Sequence, residues 1–213
     1  MDAPASRPSR TLVMIHGAFC GGWVYEQLAG FFEARGYRCH TPTLRHHERS
    51  PGGKPPAALG STSMTDYAVD IAALVGSLPE PPILLGHSLG AGISSLVAAA
   101  EPERIERLLL IEGLGPLGDD GSRTLPRFRE ALATHRESSR PLRVFRDVAQ
   151  AVRARCMASG MEADLAQPIV ERGLVEVDGG WRWRSDPRLT RASAVRLAEA
   201  QVHALLAGIN APT

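Results

Sequence analysis

Apolar and polar positions fall into two regimes that change near residue 112. In the first, short unbroken apolar runs alternate with longer stretches whose apolar residues recur every three or four positions. Thr11-Leu12-Val13-Met14-Ile15 is one such run, suited to a strand covered on both faces. Residues 23–35 carry Trp23, Leu28, Phe31 and Phe32 in an amphipathic helical pattern, with Gly36 as the stop. Residues 37–41 predict a second strand halted by Pro42, and residues 43–63, rich in Gly, Pro and Ser, predict a long loop. Ser63-Met64-Thr65-Asp66 has the spacing of a capping box that opens a helix running to Leu78. Pro82-Ile83-Leu84-Leu85 predicts a third strand, residues 91–100 a helix, and residues 105–111 a fourth strand. Buried strands alternating with helices imply an α/β fold: a parallel sheet with helices on both faces, over residues 1–112.

Beyond Glu112 the chain is mainly helical and rich in arginine. Helices are predicted at residues 126–136, 142–159, 163–172 and 192–206. Leu174-Val175-Glu176-Val177 and Trp181-Arg182-Trp183-Arg184 flank a turn at Asp178-Gly179-Gly180, the pattern of a hairpin with one face packed and its arginines in water. A mainly helical insertion over residues 113–208, placed after the fourth strand, predicts a cap over a site on the sheet.

Composition narrows the functions open to such a chain. Its 213 residues fit one domain with an insertion, and 44% hydrophobic content supports a sizeable core. A formal net charge of +1 gives no bulk pull toward nucleic acid or a membrane surface, so neither is expected as a partner. Cys20, Cys39 and Cys156 are odd in number, widely spaced and without metal-ligand spacing, which predicts a reducing, cytoplasmic setting. No apolar stretch reaches membrane-spanning length, and residues 1–10 lack the apolar run of a signal peptide. No phosphate-binding glycine motif follows the first strand, and the adjacent His46-His47 pair is a poor metal site, so no cofactor or metal is expected.

Gly86-His87-Ser88-Leu89-Gly90 carries the chemistry. It fits G-x-S-x-G between a predicted strand and a predicted helix, where a tight turn forces the serine outward at a helix N-terminus. There a hydroxyl can attack a carbonyl while nearby N–H groups hold the oxyanion. The plain alternative is an ordinary tight turn. Glu112 ends the neighbouring strand, where a carboxylate can orient a histidine; a solvated glutamate at a strand end is its alternative. Phe19, Trp23, Phe128 and Phe145 fit an acyl pocket or ordinary core packing equally well, and Cys20 reads as a small buried thiol.

Three segments together resemble the α/β-hydrolase superfamily, in its cofactor-free serine hydrolase and esterase-like branch. They are His16-Gly17-Ala18-Phe19-Cys20-Gly21-Gly22-Trp23, the Gly86–Gly90 turn, and Ile111-Glu112-Gly113-Leu114-Gly115-Pro116 leading into the helical region. The resemblance implies Ser88 as nucleophile, the backbone N–H groups of Ala18 and Leu89 as oxyanion hole, and Glu112 as the acid. It implies a loop-bracing role for His16 and a His87 that points away from Ser88. The substrate class implied is a small ester or related acyl compound, cleaved through an acyl-enzyme. By the same resemblance, residues 209–213 are the start of a core strand that is cut off, so the fold is incomplete and the triad histidine is absent. A serine without a base is a weak nucleophile, so the rival expectation is a hydrolase-derived binding protein or a fragment. An incomplete sheet also leaves an exposed edge through which copies could associate.

Overall fold

The computed structural model describes residues 10–48, 62–136, 143–190 and 193–213; most of the long loop predicted after the second strand, and residues 1–9, lie outside the described residues. Four parallel strands form the sheet, β1 (Thr11–Ile15), β2 (Arg38–His40), β3 (Ile83–His87) and β4 (Arg107–Ile111), in the order β2-β1-β3-β4. The period of two sorts their side chains. Val13, Ile15, Leu84 and Leu108 pack under α2 (Met64–Gly76) and α3 (Leu89–Ala100). Leu12, Met14, Ile83 and Leu85 pack on the other face, against Tyr25 and the partly buried Ala29 and Phe32 of α1 (Glu26–Glu33). Helices therefore cover both faces, and all five residues of β1 are buried. The capping box is formed: Asp66 N–H donates to Ser63 Oγ at 3.1 Å and Ser63 N–H to Asp66 Oδ2 at 2.7 Å.

The helix predicted from residue 23 divides into a 3₁₀ turn at Gly22–Tyr25 followed by α1. Tertiary contact explains the break, because Gly22 is pressed against the Thr41 carbonyl with no room for a side chain. Leu28 and Phe31 of α1 are exposed, and the Arg35 guanidinium covers the Phe31 ring at 3.5 Å.

Residues beyond β4 carry a second, smaller core. Phe145, Ala151, Val152, Ala166, Val170 and Leu174 join α5 (Val148–Ser159), α6 (Ala163–Gly173) and a hairpin of β6 (Leu174–Val177) and β7 (Gly180–Trp183). The helix predicted from residue 142 starts at Val148 because Phe145 is taken up by a two-way backbone bridge to Trp181, and Asp147 caps the helix by accepting from Gln150 N–H at 2.7 Å. The hairpin arginines do not stay in water: both are half-buried, and Arg184 Nε donates to the Leu174 carbonyl at 2.7 Å. α4 (Thr124–Arg136) precedes this unit. The helix predicted over residues 192–206 is the shorter α7 (Glu199–Ala207). Before it, β8 (Leu197–Ala198) pairs in parallel with β5 (Gly118–Asp119), a contact without a local sequence signal.

β4 forms one edge of the sheet, with Leu109 46% and Ile111 45% exposed. Residues 209–213 lie along it: Leu108 N–H donates to the Pro212 carbonyl at 3.0 Å, and Ala211 is buried in the main core. Among the described residues no helix is long and apolar enough to cross a membrane.

Candidate active site

Ser88 follows the end of the β3–β4 ladder and caps α3. Its N–H donates to the Ile111 carbonyl at 2.9 Å, and its own carbonyl accepts from Ala91 and Gly92 N–H at 2.9 and 3.2 Å. Serving both elements puts Ser88 at φ 52° and ψ −113°, a conformation that costs a non-glycine residue about 1–3 kcal/mol. The surrounding structure holds it there through backbone packed on backbone. A methyl on Gly90 would collide with the Ile15 carbonyl at the end of β1, and one on Gly86 with the Gly90 carbonyl. Both motif glycines are thus required by close approach. The serine side is left exposed.

The segment after β1 lies against this elbow. A Cβ on Gly17 would sit 2.9 Å from His87 Nδ1 and 3.4 Å from Ser88 Cβ. Among the described residues, no loop or side-chain hydrogen bond takes up the Ala18 or Leu89 N–H. Two unengaged donors therefore lie in the segments flanking Ser88, the elements an oxyanion hole needs. Glu112 follows β4 at φ 51°, with Gly113 packed on the Ser88 carbonyl.

The histidines are distributed less favourably for catalysis. His16 is fully buried; its Nδ1–H donates to the Gly17 carbonyl at 2.7 Å and its Nε2 accepts from Leu44 N–H at 3.0 Å. Burial lowers its pKa to about 4, so the ring is a neutral brace. His47 is buried beside it, ring centroids 5.0 Å apart, with its pKa also lowered by burial. His87 directs Nε2 to Glu112 Oε2 at 3.4 Å, a long contact on a carboxylate that is 81% exposed. Glu112 thus meets the histidine inside the elbow rather than one set against Ser88. His203 is exposed on α7, and the His135 side chain lies outside the described residues. Among the described residues no imidazole engages Ser88 Oγ, and no cluster of three His, Cys, Asp or Glu could hold a metal. Cys20 is buried, and burial pushes its thiol pKa up.

Comparison with known proteins puts this geometry in a family. The sequence profile described as the alpha/beta hydrolase family matches residues 12–212. The chain belongs to that family. A hypothetical protein of Pseudomonas aeruginosa PAO1 shares 32% identity with this alpha/beta hydrolase and superposes with a TM-score of 0.81, over 96% of this chain and 72% of its own. A pyrethroid hydrolase of Sphingobium wenxiniae is 34% identical over 47% of this chain and 34% of its own length. Mouse sn-1-specific diacylglycerol lipase ABHD11 is 26% identical over 86% of this chain and 57% of its own. The chain therefore spans from about a third to just over half the length of these two curated relatives.

Within this alpha/beta hydrolase, two positioning contacts escape sequence reasoning. Ser95 Oγ donates to the Ala91 carbonyl at 2.8 Å and accepts from Gly115 N–H at 3.1 Å, pinning the segment after Glu112 to α3. A polar residue inside an otherwise apolar helix is the signal that points to it. Thr43 Oγ1 accepts from Gly22 N–H at 2.9 Å, tying the loop after β2 to the turn that bears Ala18, and no local pattern marks that tie.

Proposed function

We propose that this chain carries the nucleophile centre of a serine hydrolase acting on a small carboxylic ester or related acyl compound. Ser88 Oγ attacks the acyl carbon, and the Ala18 and Leu89 N–H groups hold the resulting oxyanion. Loss of the alcohol leaves an acyl-enzyme on Ser88, and water releases the acid. Glu112 takes the acid role of an incomplete triad whose base is not among the described residues; that base takes the Ser88 proton on attack and returns it to the leaving alcohol. The observation that carries the reading is the forced backbone of Ser88, a strained conformation held by glycines that cannot be replaced. The names of the matched relatives, a hydrolase and a lipase, support an acyl ester as substrate class. The free cysteines fit a cytoplasmic setting, and the exposed Leu109 and Ile111 side chains of β4 fit self-association.

One observation favours a second reading, a hydrolase-derived protein that binds its ligand without turnover: no described imidazole engages the Ser88 hydroxyl. Hydrolysis of p-nitrophenyl butyrate by the chain and by Ser88→Ala, at matched folded concentration, separates the two. Turnover that disappears in the variant supports the hydrolase, and equal background rates support the binding protein.

A further inference from the structure

The turn that bears Ala18 is gripped at both ends by one short loop. Its first residue, His16, holds the Gly17 carbonyl through Nδ1–H at 2.7 Å. The Gly17 carbonyl and the Ala18 N–H belong to the same peptide plane. The described peptide bonds are all trans, so the two groups point in opposite directions. Holding the carbonyl at His16 therefore turns the Ala18 N–H to the other side of the chain, where no described loop or side-chain acceptor takes it.

Leu44 decides which nitrogen of His16 carries the proton. Its N–H faces Nε2 at 3.0 Å, which requires a lone pair there and leaves the proton on Nδ1. One residue earlier, Thr43 Oγ1 accepts from Gly22 N–H at 2.9 Å, and Thr41 backs onto Gly22 through its carbonyl. Residues 41–44 thus hold the first and last residues of the turn from His16 to Gly22.

We infer that residues 41–44 are a positioning clamp for the oxyanion turn: Leu44 sets the His16 tautomer, His16 sets the Gly17–Ala18 peptide, and Thr43 anchors the far end at Gly22. The inference rests on the reading of Ala18 as an oxyanion donor. His16 and Thr43 act through the turn and touch no reacting atom.

Two pairs of substitutions test the clamp. Asparagine carries its amide nitrogen where histidine carries Nδ1, so His16→Asn preserves the bond to Gly17. Glutamine carries its polar atoms where histidine carries Nε2, so His16→Gln preserves only the bond to Leu44. Thr43→Val removes the bond to Gly22, and Thr43→Ser restores it. Crystal structures read the peptide plane, and p-nitrophenyl butyrate kinetics read its consequence. The expected result is a reoriented Gly17–Ala18 peptide in His16→Gln, with kcat down about tenfold or more at unchanged KM, and recovery in His16→Asn. Thr43→Val loses kcat in the same way and Thr43→Ser regains it. Thr43 is exposed, so this pair tests the clamp even where a His16 variant fails to fold. A merely structural His16 predicts equal losses in the Asn and Gln variants, in step with their stability. A peptide that keeps its orientation in His16→Gln, or a Thr43→Val with wild-type geometry and kcat, overturns the clamp. Should the peptide turn in His16→Gln while the wild type hydrolyses no faster than Ser88→Ala, the clamp stands and the hydrolase reading falls.

Discussion

At Gly86 and Gly90 an added methyl would strike backbone, whereas at Gly160 and Gly179 it would meet nothing within 4 Å. The first pair lies where β1, β3 and α3 converge on Ser88; the second ends a helix and turns a hairpin in the region beyond β4. Glycine is used for space in the elbow pair and for its positive φ in the other pair. Around the elbow, main chain is packed on main chain, and position is fixed with little room to relax. Beyond β4 the smaller core packs side chain on side chain around Phe145, with backbone on backbone where Gly180 meets the Phe145 carbonyl. A reacting centre needs the first kind of construction.

Gly90→Ala gives the largest expected effect. The new methyl meets the Ile15 carbonyl, so a loss of more than about 4 kcal/mol, or failure to fold, is expected in urea unfolding. A neutral Gly90→Ala would break the comparison outright. Phe145→Ala comes next, at about 3 kcal/mol, because Phe145 is nearly fully buried in the smaller core. Its loss is confined: hydrogen exchange should rise in α5, α6, β6 and β7 while the amides of β1, β3 and β4 stay protected. Equal loosening of both regions would show a single cooperative core instead.

Acid distinguishes the two regions further. Burial holds the His16 pKa at about 4, below its ordinary 6.5. Above pH 6.5 the ring is neutral in both the folded and unfolded chain, and its contribution is fully present. Between pH 6.5 and 4 the unfolded chain binds a proton that the folded chain excludes, so stability falls with pH, by up to on the order of 3 kcal/mol. His47 acts in the same direction. Urea midpoints at pH 7, 5 and 4 check this, and His16→Asn should flatten the profile. Gly160→Ala is the smallest effect, about 1 kcal/mol from its φ of 68° alone.

The core was legible in the sequence because its determinants are local. Apolar runs at residues 11–15 and 83–85 mark the strands, and Ser63 with Asp66 marks a helix start. The elbow was legible for the same reason: its two glycines and its serine lie within five residues. What was not legible depends on contacts between distant segments. The 3₁₀ break at Gly22 comes from Thr41, the late start of α5 from the bridge between Phe145 and Trp181, and the burial of Arg184 from the Leu174 carbonyl. His16 shows both sides of this. Its place after β1 singles it out, but its role as a two-sided brace is visible only once Leu44 is found against Nε2.

The central claim is that the strained elbow makes Ser88 an acyl acceptor. Rapid acid quench of the protein with p-nitrophenyl butyrate, followed by peptide mass spectrometry, tests it most directly. A butyryl adduct on the peptide containing Ser88, absent from Ser88→Ala, is the predicted result. Release of p-nitrophenol with no adduct on that peptide, or the same adduct level in Ser88→Ala, would contradict it.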